Sequence, residues 1–235
     1  MKKLIKFFGL VAIILSSSFL LSACGKKTTT PATNKNTTPA KQIELSAEEK
    51  PTVSLIPRAD GHNLTLKITG IPTKFTTVDY ELIYTAKDQN LEIEKGVSGT
   101  IKTTGSTLEK DDLLLGTASC TNGCKYKYDE GVTGGTLTLT LTTADKQYVT
   151  YETPFTLKSA TDLNKDKKLG IDQENLVING TVTSKSDYFI VIKNFKSVYS
   201  IFSSGNGKGK ITSIEPTTVT KTDLTSFVGD YTIAQ

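Results

Sequence analysis

Cys120 and Cys124 are the residues of this 235-residue chain whose type and spacing point most directly to chemistry. They bracket Thr121-Asn122-Gly123, and Asn-Gly favours positive φ and a tight reversal. Two cysteines on the flanks of such a loop face each other within the Cα separation that a disulfide needs. Outside the cytoplasm the pair is expected to oxidise. Closing so short a loop stabilises by only about 2 kcal/mol, so the expectation is a local staple that shapes the loop, with a presented contact loop or thiol-redox chemistry as the alternatives. Just beyond, Tyr126 and Tyr128 share one face of an extended run, and Lys125 and Lys127 share the other. Core tyrosines are expected there; a sugar- or peptide-stacking platform is the functional alternative. His62, the single histidine, precedes an alternating stretch and reads as an exposed turn residue, since no activated-serine signature accompanies it. Four soft zinc ligands are not at hand.

A second group is Asp162-Leu163-Asn164-Lys165-Asp166, which resembles the start of an EF-hand or dockerin calcium loop, with oxygens at loop positions one, three and five. The resemblance implies a weak Ca2+ site at Asp162, Asn164 and Asp166. Lys167 stands where glycine makes the sharp turn, and Gln173 stands at position twelve in place of an acid. A solvated hinge is therefore expected, with weak calcium binding as the alternative and no other cofactor. The glycine-rich run Phe202–Ile211 is no phosphate loop, because Ile211 follows Gly209-Lys210 where Ser or Thr is required.

The elements that must carry these residues read as strands. Leu64, Leu66 and Ile68 alternate with Thr65, Lys67 and Thr69, and Val78–Tyr84 and Leu137–Leu141 repeat the two-residue period. Asp60-Gly61, Asn122-Gly123 and Gly134-Gly135 punctuate them as turns. No stretch has convincing helical periodicity. Seven or so short strands between Thr52 and Leu157 resemble an immunoglobulin-like or fibronectin type III-like domain, although the Trp and long-range disulfide of antibody domains are missing. The expected fold class is all-β: an immunoglobulin-like β-sandwich over residues 44–158, a polar joint over 159–172, and a smaller all-β unit over 173–235, either a reduced sandwich or a small barrel. Within that unit Tyr188–Ile192 is continuously apolar, which predicts a strand buried on both faces.

The N-terminus sets the location. Lys2, Lys3 and Lys6 precede an apolar run ending at Leu21, a secretory-signal pattern too short to span a bilayer comfortably. Its last residues, Leu21-Ser22-Ala23-Cys24, resemble the lipobox of bacterial lipoproteins. That resemblance implies removal of residues 1–23, acylation of Cys24, and an extracytoplasmic protein held to a bacterial membrane by its N-terminal lipid. Residues 24–43 are Thr, Lys, Asn and Pro with little to bury, and read as a disordered tether. Seven lysines and no acid lie before residue 43, leaving 21 basic against 24 acidic residues beyond. With Arg58 as the single arginine, the folded part has neither the charge nor the donors of a nucleic-acid binder. The expectation is a non-catalytic surface lipoprotein whose sandwich loops serve adhesion, ligand binding or envelope assembly, with a protein or glycan partner. An envelope enzyme or thiol-redox helper using Cys120 and Cys124 is the alternative.

Overall fold

Alternation of threonine with aliphatic residues makes this chain a series of half-buried strands. In a computed structural model, residues 39–89, 91–171 and 175–233 are described, and they belong to one compact unit, Thr38–Gln235. The strands are β1 (Lys41–Gln42), β2 (Thr52–Pro57), β3 (Asn63–Thr69), β4 (Phe75–Asp88), β5 (Leu91–Lys102), β6 (Thr107–Leu114), β7 (Gly116–Ser119), β8 (Lys125–Tyr128), β9 (Gly134–Thr143) and β10 (Gln147–Ser159). After a short helix α1 (Ala160–Asp166) follow β11 (Lys168–Ile171), β12 (Leu176–Val182), β13 (Tyr188–Lys193), β14 (Tyr199–Ser203), β15 (Gly209–Glu215), β16 (Val219–Thr220) and β17 (Gly229–Ile233). The fold is all-β. Among the described residues no helix is long and apolar enough to cross a membrane.

The first half is a sandwich. Sheet β2-β3-β6 lies over strands β5-β4-β9-β10, which belong to a larger nine-stranded sheet. Read in chain order, this is A-B-E over C′-C-F-G, the connectivity of an immunoglobulin-like sandwich. The core is the one that the periodicity calls for: Leu64, Leu66 and Ile68 from β3 meet Val78, Tyr80 and Leu82 from β4 and Leu137, Leu139 and Leu141 from β9. Hairpin β7–β8 is inserted between β6 and β9 and forms its own two-stranded sheet.

The second half does not stand apart. Its strands β13, β14, β17 and β16 continue the same large sheet from β10, in the order β16-β17-β14-β13-β10-β9-β4-β5. Phe189, Ile190, Val191 and Ile192 in β13 are all fully buried, as their continuous apolar run predicts. Ile190 and Ile192 face the core of the first sandwich, whereas Phe189 and Val191 face a second core with Leu163, Leu169, Ile178, Phe227 and Tyr231. That second core is roofed by β11-β12-β15 and by α1. One strand thus serves as a wall shared by two hydrophobic cores.

Two expectations are corrected. Residues 159–172 are not a solvated joint as far as Ile171: α1 and β11 occupy them, and Ala160, Leu163 and Leu169 are fully buried. Ser159 caps the helix, its Oγ accepting from Asp162 N at 3.1 Å, and Lys167 ends it in the left-handed region at φ 54°. The tether expected over 24–43 also stops early. Lys41 and Gln42 pair in parallel with Gln147 and Tyr148, and Ile43 and Leu45 pack on the first core.

The β13–β14 turn closes the first sandwich at the edge of β2. Asn194 is buried there and mimics a strand neighbour: its Oδ1 accepts from Val53 N and its Nδ2 donates to Val53 O, both at 3.1 Å. Phe195 of the same turn stacks on Tyr151, with ring centroids 4.1 Å apart.

Candidate functional site

The tight turn at the tip of β7–β8 is built as its residues demand. Gly123 takes φ 85°, a value open to glycine, and Cys120 and Cys124 come within disulfide distance with their Cα atoms 4.1 Å apart. Every residue from Thr117 to Tyr128 is exposed, so the hairpin projects from the sandwich. Opposite Tyr128 across the hairpin is Gly116, and opposite Tyr126 is Ala118. A Cβ on Gly116 would meet the Lys127 carbonyl oxygen at 2.4 Å, so the pairing itself excludes a larger residue. The tyrosine face of the hairpin therefore carries two rings beside a hydrogen and a methyl group.

Those rings are not core tyrosines, and this is a further correction. Tyr126 is 55% exposed and Tyr128 37%. Their centroids are 6.2 Å apart and their planes within 9° of parallel. His62, from the β2–β3 turn, stacks on Tyr128 at 4.2 Å and 3°. Three rings from two segments, far apart in sequence, make one ladder: His62, Tyr128, Tyr126.

The foot of the ladder is polar and tightly held. Arg58 donates to the Asp60 carboxylate, with Nη2 2.6 Å from Oδ2, and Asp112 lies 3.6 Å from Nη1. Asp60 also accepts from His62 N at 3.0 Å, which fixes the turn that presents the imidazole. Turned oxygen-first, the buried amide of Asn63 accepts from Arg58 Nη1 at 2.9 Å. Hydrogen bonding to Asp60 holds the Arg58 guanidinium above its ordinary value, and contact with Tyr128 adds to this. The same pair holds the Asp60 carboxyl below the usual range.

Beneath Tyr128 the next residue turns inward. Asp129 has a side chain only 5% exposed, and it accepts from the Tyr84 hydroxyl at 2.8 Å and from the Lys95 ammonium. Its own N–H donates to Leu115 O at 3.0 Å. Burial, with the bond to Asp129 second, pushes the Tyr84 hydroxyl well above the ordinary tyrosine range. The hairpin is thus bolted to β4 and β5 at its base while its tip stays free.

The expected calcium ligands do not converge. Asp162 is used by the Ser159 cap, receiving Ser159 Oγ at 2.6 Å. Asn164 is taken up by the β12 end, accepting from Val182 N at 2.8 Å and donating to Val182 O at 3.1 Å. Asp166 pairs with Lys158 at 2.7 Å, which lowers its pKa. Helical geometry, not a loop, carries them, and it points Asn164 away from the two acids. Among the described residues no group of three His, Cys, Asp or Glu gathers as a metal site. Gln173 and its neighbours Asp172 and Glu174 lie outside the described residues, as do Cys24 and the lipobox.

The sequence named His62, Tyr126, Tyr128, Cys120 and Cys124 separately, and the tertiary structure brings them into one site. The sequence marks Arg58 only as the single arginine and Asp60 only as a turn residue, and it leaves Asp129 unmarked; the acid directly after the Lys-Tyr-Lys-Tyr alternation is the available signal for that residue. No family model matches the chain, and no curated protein or solved structure is found similar to it.

Proposed function

We propose that this chain is a non-catalytic, lipid-anchored surface protein of a bacterial envelope, and that the His62–Tyr128–Tyr126 ladder is its binding platform for a glycan. The observation that carries the reading is the exposure of parallel rings on a stapled hairpin beside Gly116 and Ala118. The end ring of such a ladder, Tyr126, can stack on the apolar face of a sugar ring, and rigid tyrosines do so at little entropic cost. The Arg58–Asp60 pair at the ladder's foot supplies both a donor and an acceptor for ring hydroxyls. The lipobox resemblance at Leu21–Cys24 supports the anchor. His62 is engaged in the stack, which supports binding over acid–base catalysis.

The test is a titration of oligosaccharides released from bacterial envelopes into the protein, read by tyrosine fluorescence. Tyr126→Ala is expected to weaken binding about three- to tenfold, the value of one stacking contact. Binding that survives loss of both Tyr126 and Tyr128 would remove the platform from the reading.

A further inference from the structure

We propose that two copies of the chain pair edge to edge through β5, joining their large sheets into one across a two-fold axis at Val97. β5 ends the nine-stranded sheet, and among the described residues it pairs only with β4. It is twelve residues long, about 40 Å, and its register against β4 runs without a bulge from Leu91 to Lys102. A strand of this kind offers alternate N–H and C=O groups along its whole outer side as a template for another strand.

Two protective devices common on such edges are absent or disarmed here. β5 contains no proline. An inward-pointing charge is another such device, and Lys95 is one, yet Asp129 already neutralises it. At the opposite end of the same sheet the contrast is plain, since β16 is only two residues long.

The sequence of β5 says which strand fits. Antiparallel pairing about Val97 sets Glu92 against Lys102 of the second copy, and the same pair recurs at the other end. On that outer face Glu94 meets Thr100 and Gly96 meets Ser98. On the inner face Ile93 meets Ile101 and Val97 meets itself, and all three already pack against the first core. Moving the centre to Gly96 or Ser98 would set Lys95 against Val97 or Ile101 and break the Glu92–Lys102 match. Neither Glu92 nor Lys102 has an ion-pair partner within the chain among the described residues. Self-complementarity in both charge and apolar content marks a second copy as the occupant.

Sedimentation velocity of the full chain in detergent micelles tests this. A dimer is expected. Lys102→Glu should weaken it about tenfold by turning both terminal pairs repulsive, and mixing Lys102→Glu with Glu92→Lys should restore a heterodimer. Val97→Cys should cross-link on oxidation, and Thr100→Cys should not, because two copies of that residue lie about 20 Å apart in this register. A protein that remains monomeric throughout overturns the proposal. So does a dimer indifferent to both charge changes, equal cross-linking at both positions, or an edge that takes up a foreign extended peptide instead.

Discussion

The Tyr84 hydroxyl donates to the buried carboxylate of Asp129 at 2.8 Å, and this bond ties the base of the projecting hairpin to the middle of β4. Removing the hydroxyl with Tyr84→Phe leaves Asp129 only its Lys95 partner and is expected to cost about 1–2 kcal/mol. Asp129→Ala also strands Lys95 at a partly buried site and should cost about 3 kcal/mol. Urea midpoints measure both. Hydrogen exchange in residues 117–128 should quicken in each variant, and unchanged exchange would show that the disulfide alone holds the hairpin.

Alkaline pH should act on the same contact. Tyr84, Tyr151 and Tyr231 are buried, and burial raises all three above the ordinary value near 10. A raised acid pKa means that the folded state favours the neutral phenol. Its contribution is complete below pH 10 and is lost as pH climbs from there toward the folded values, because the unfolded chain ionises first. Unfolding midpoints should fall above pH 10, and less steeply in Tyr84→Phe. A midpoint flat to pH 11.5 would contradict the assignment.

Asn194→Ala should be among the most damaging polar substitutions. It leaves both Val53 N–H and Val53 C=O unmatched in a buried place, at about 1–3 kcal/mol for each group. Asn194→Asp keeps the acceptor, loses the donor and buries a charge, so it should fare no better. Wild-type stability in either variant would mean that water replaces the latch.

Because α1 is part of the second core, Leu163→Ala is expected to cost about 2–5 kcal/mol. Ser159→Ala removes the helix cap and should cost about 1 kcal/mol, equally with and without calcium. Limited proteolysis should spare residues 159–171. Early cleavage there, or a calcium-dependent penalty at Ser159, would restore the hinge and its metal.

For the anchor, Cys24→Ala is expected to abolish incorporation of labelled palmitate and to leave an unprocessed precursor. Thiol titration of the native protein should find Cys120 and Cys124 blocked; two reactive thiols would favour the redox alternative.

Strand identity along most of the chain was legible in the sequence, because a two-residue period is a property of one strand and needs no partner. Leu64-Leu66-Ile68 and Leu137-Leu139-Leu141 declared their faces this way, and the unbroken Phe189–Ile192 run announced a strand with cores on both sides. The Asn122-Gly123 reversal between two cysteines was equally local. β6 escaped because its alternation is broken. A register shift opposite Leu64 and Leu66, with Asp112 at φ 58°, puts Leu108 and Leu113 on one face although they are an odd number of positions, five, apart. Helix α1 escaped because two buried residues, Ala160 and Leu163, make too short a periodic signal, and its Asp, Asn and Lys residues mimic a metal loop. Only the tertiary structure decided that β10 and β13 pair, and so that two halves share a sheet. It alone set His62 on Tyr128, since stacking across 66 positions depends on where the β2–β3 turn and the hairpin meet. A residue's type and neighbours specify which face it prefers; what that face meets is specified by strand order, and strand order is a long-range property.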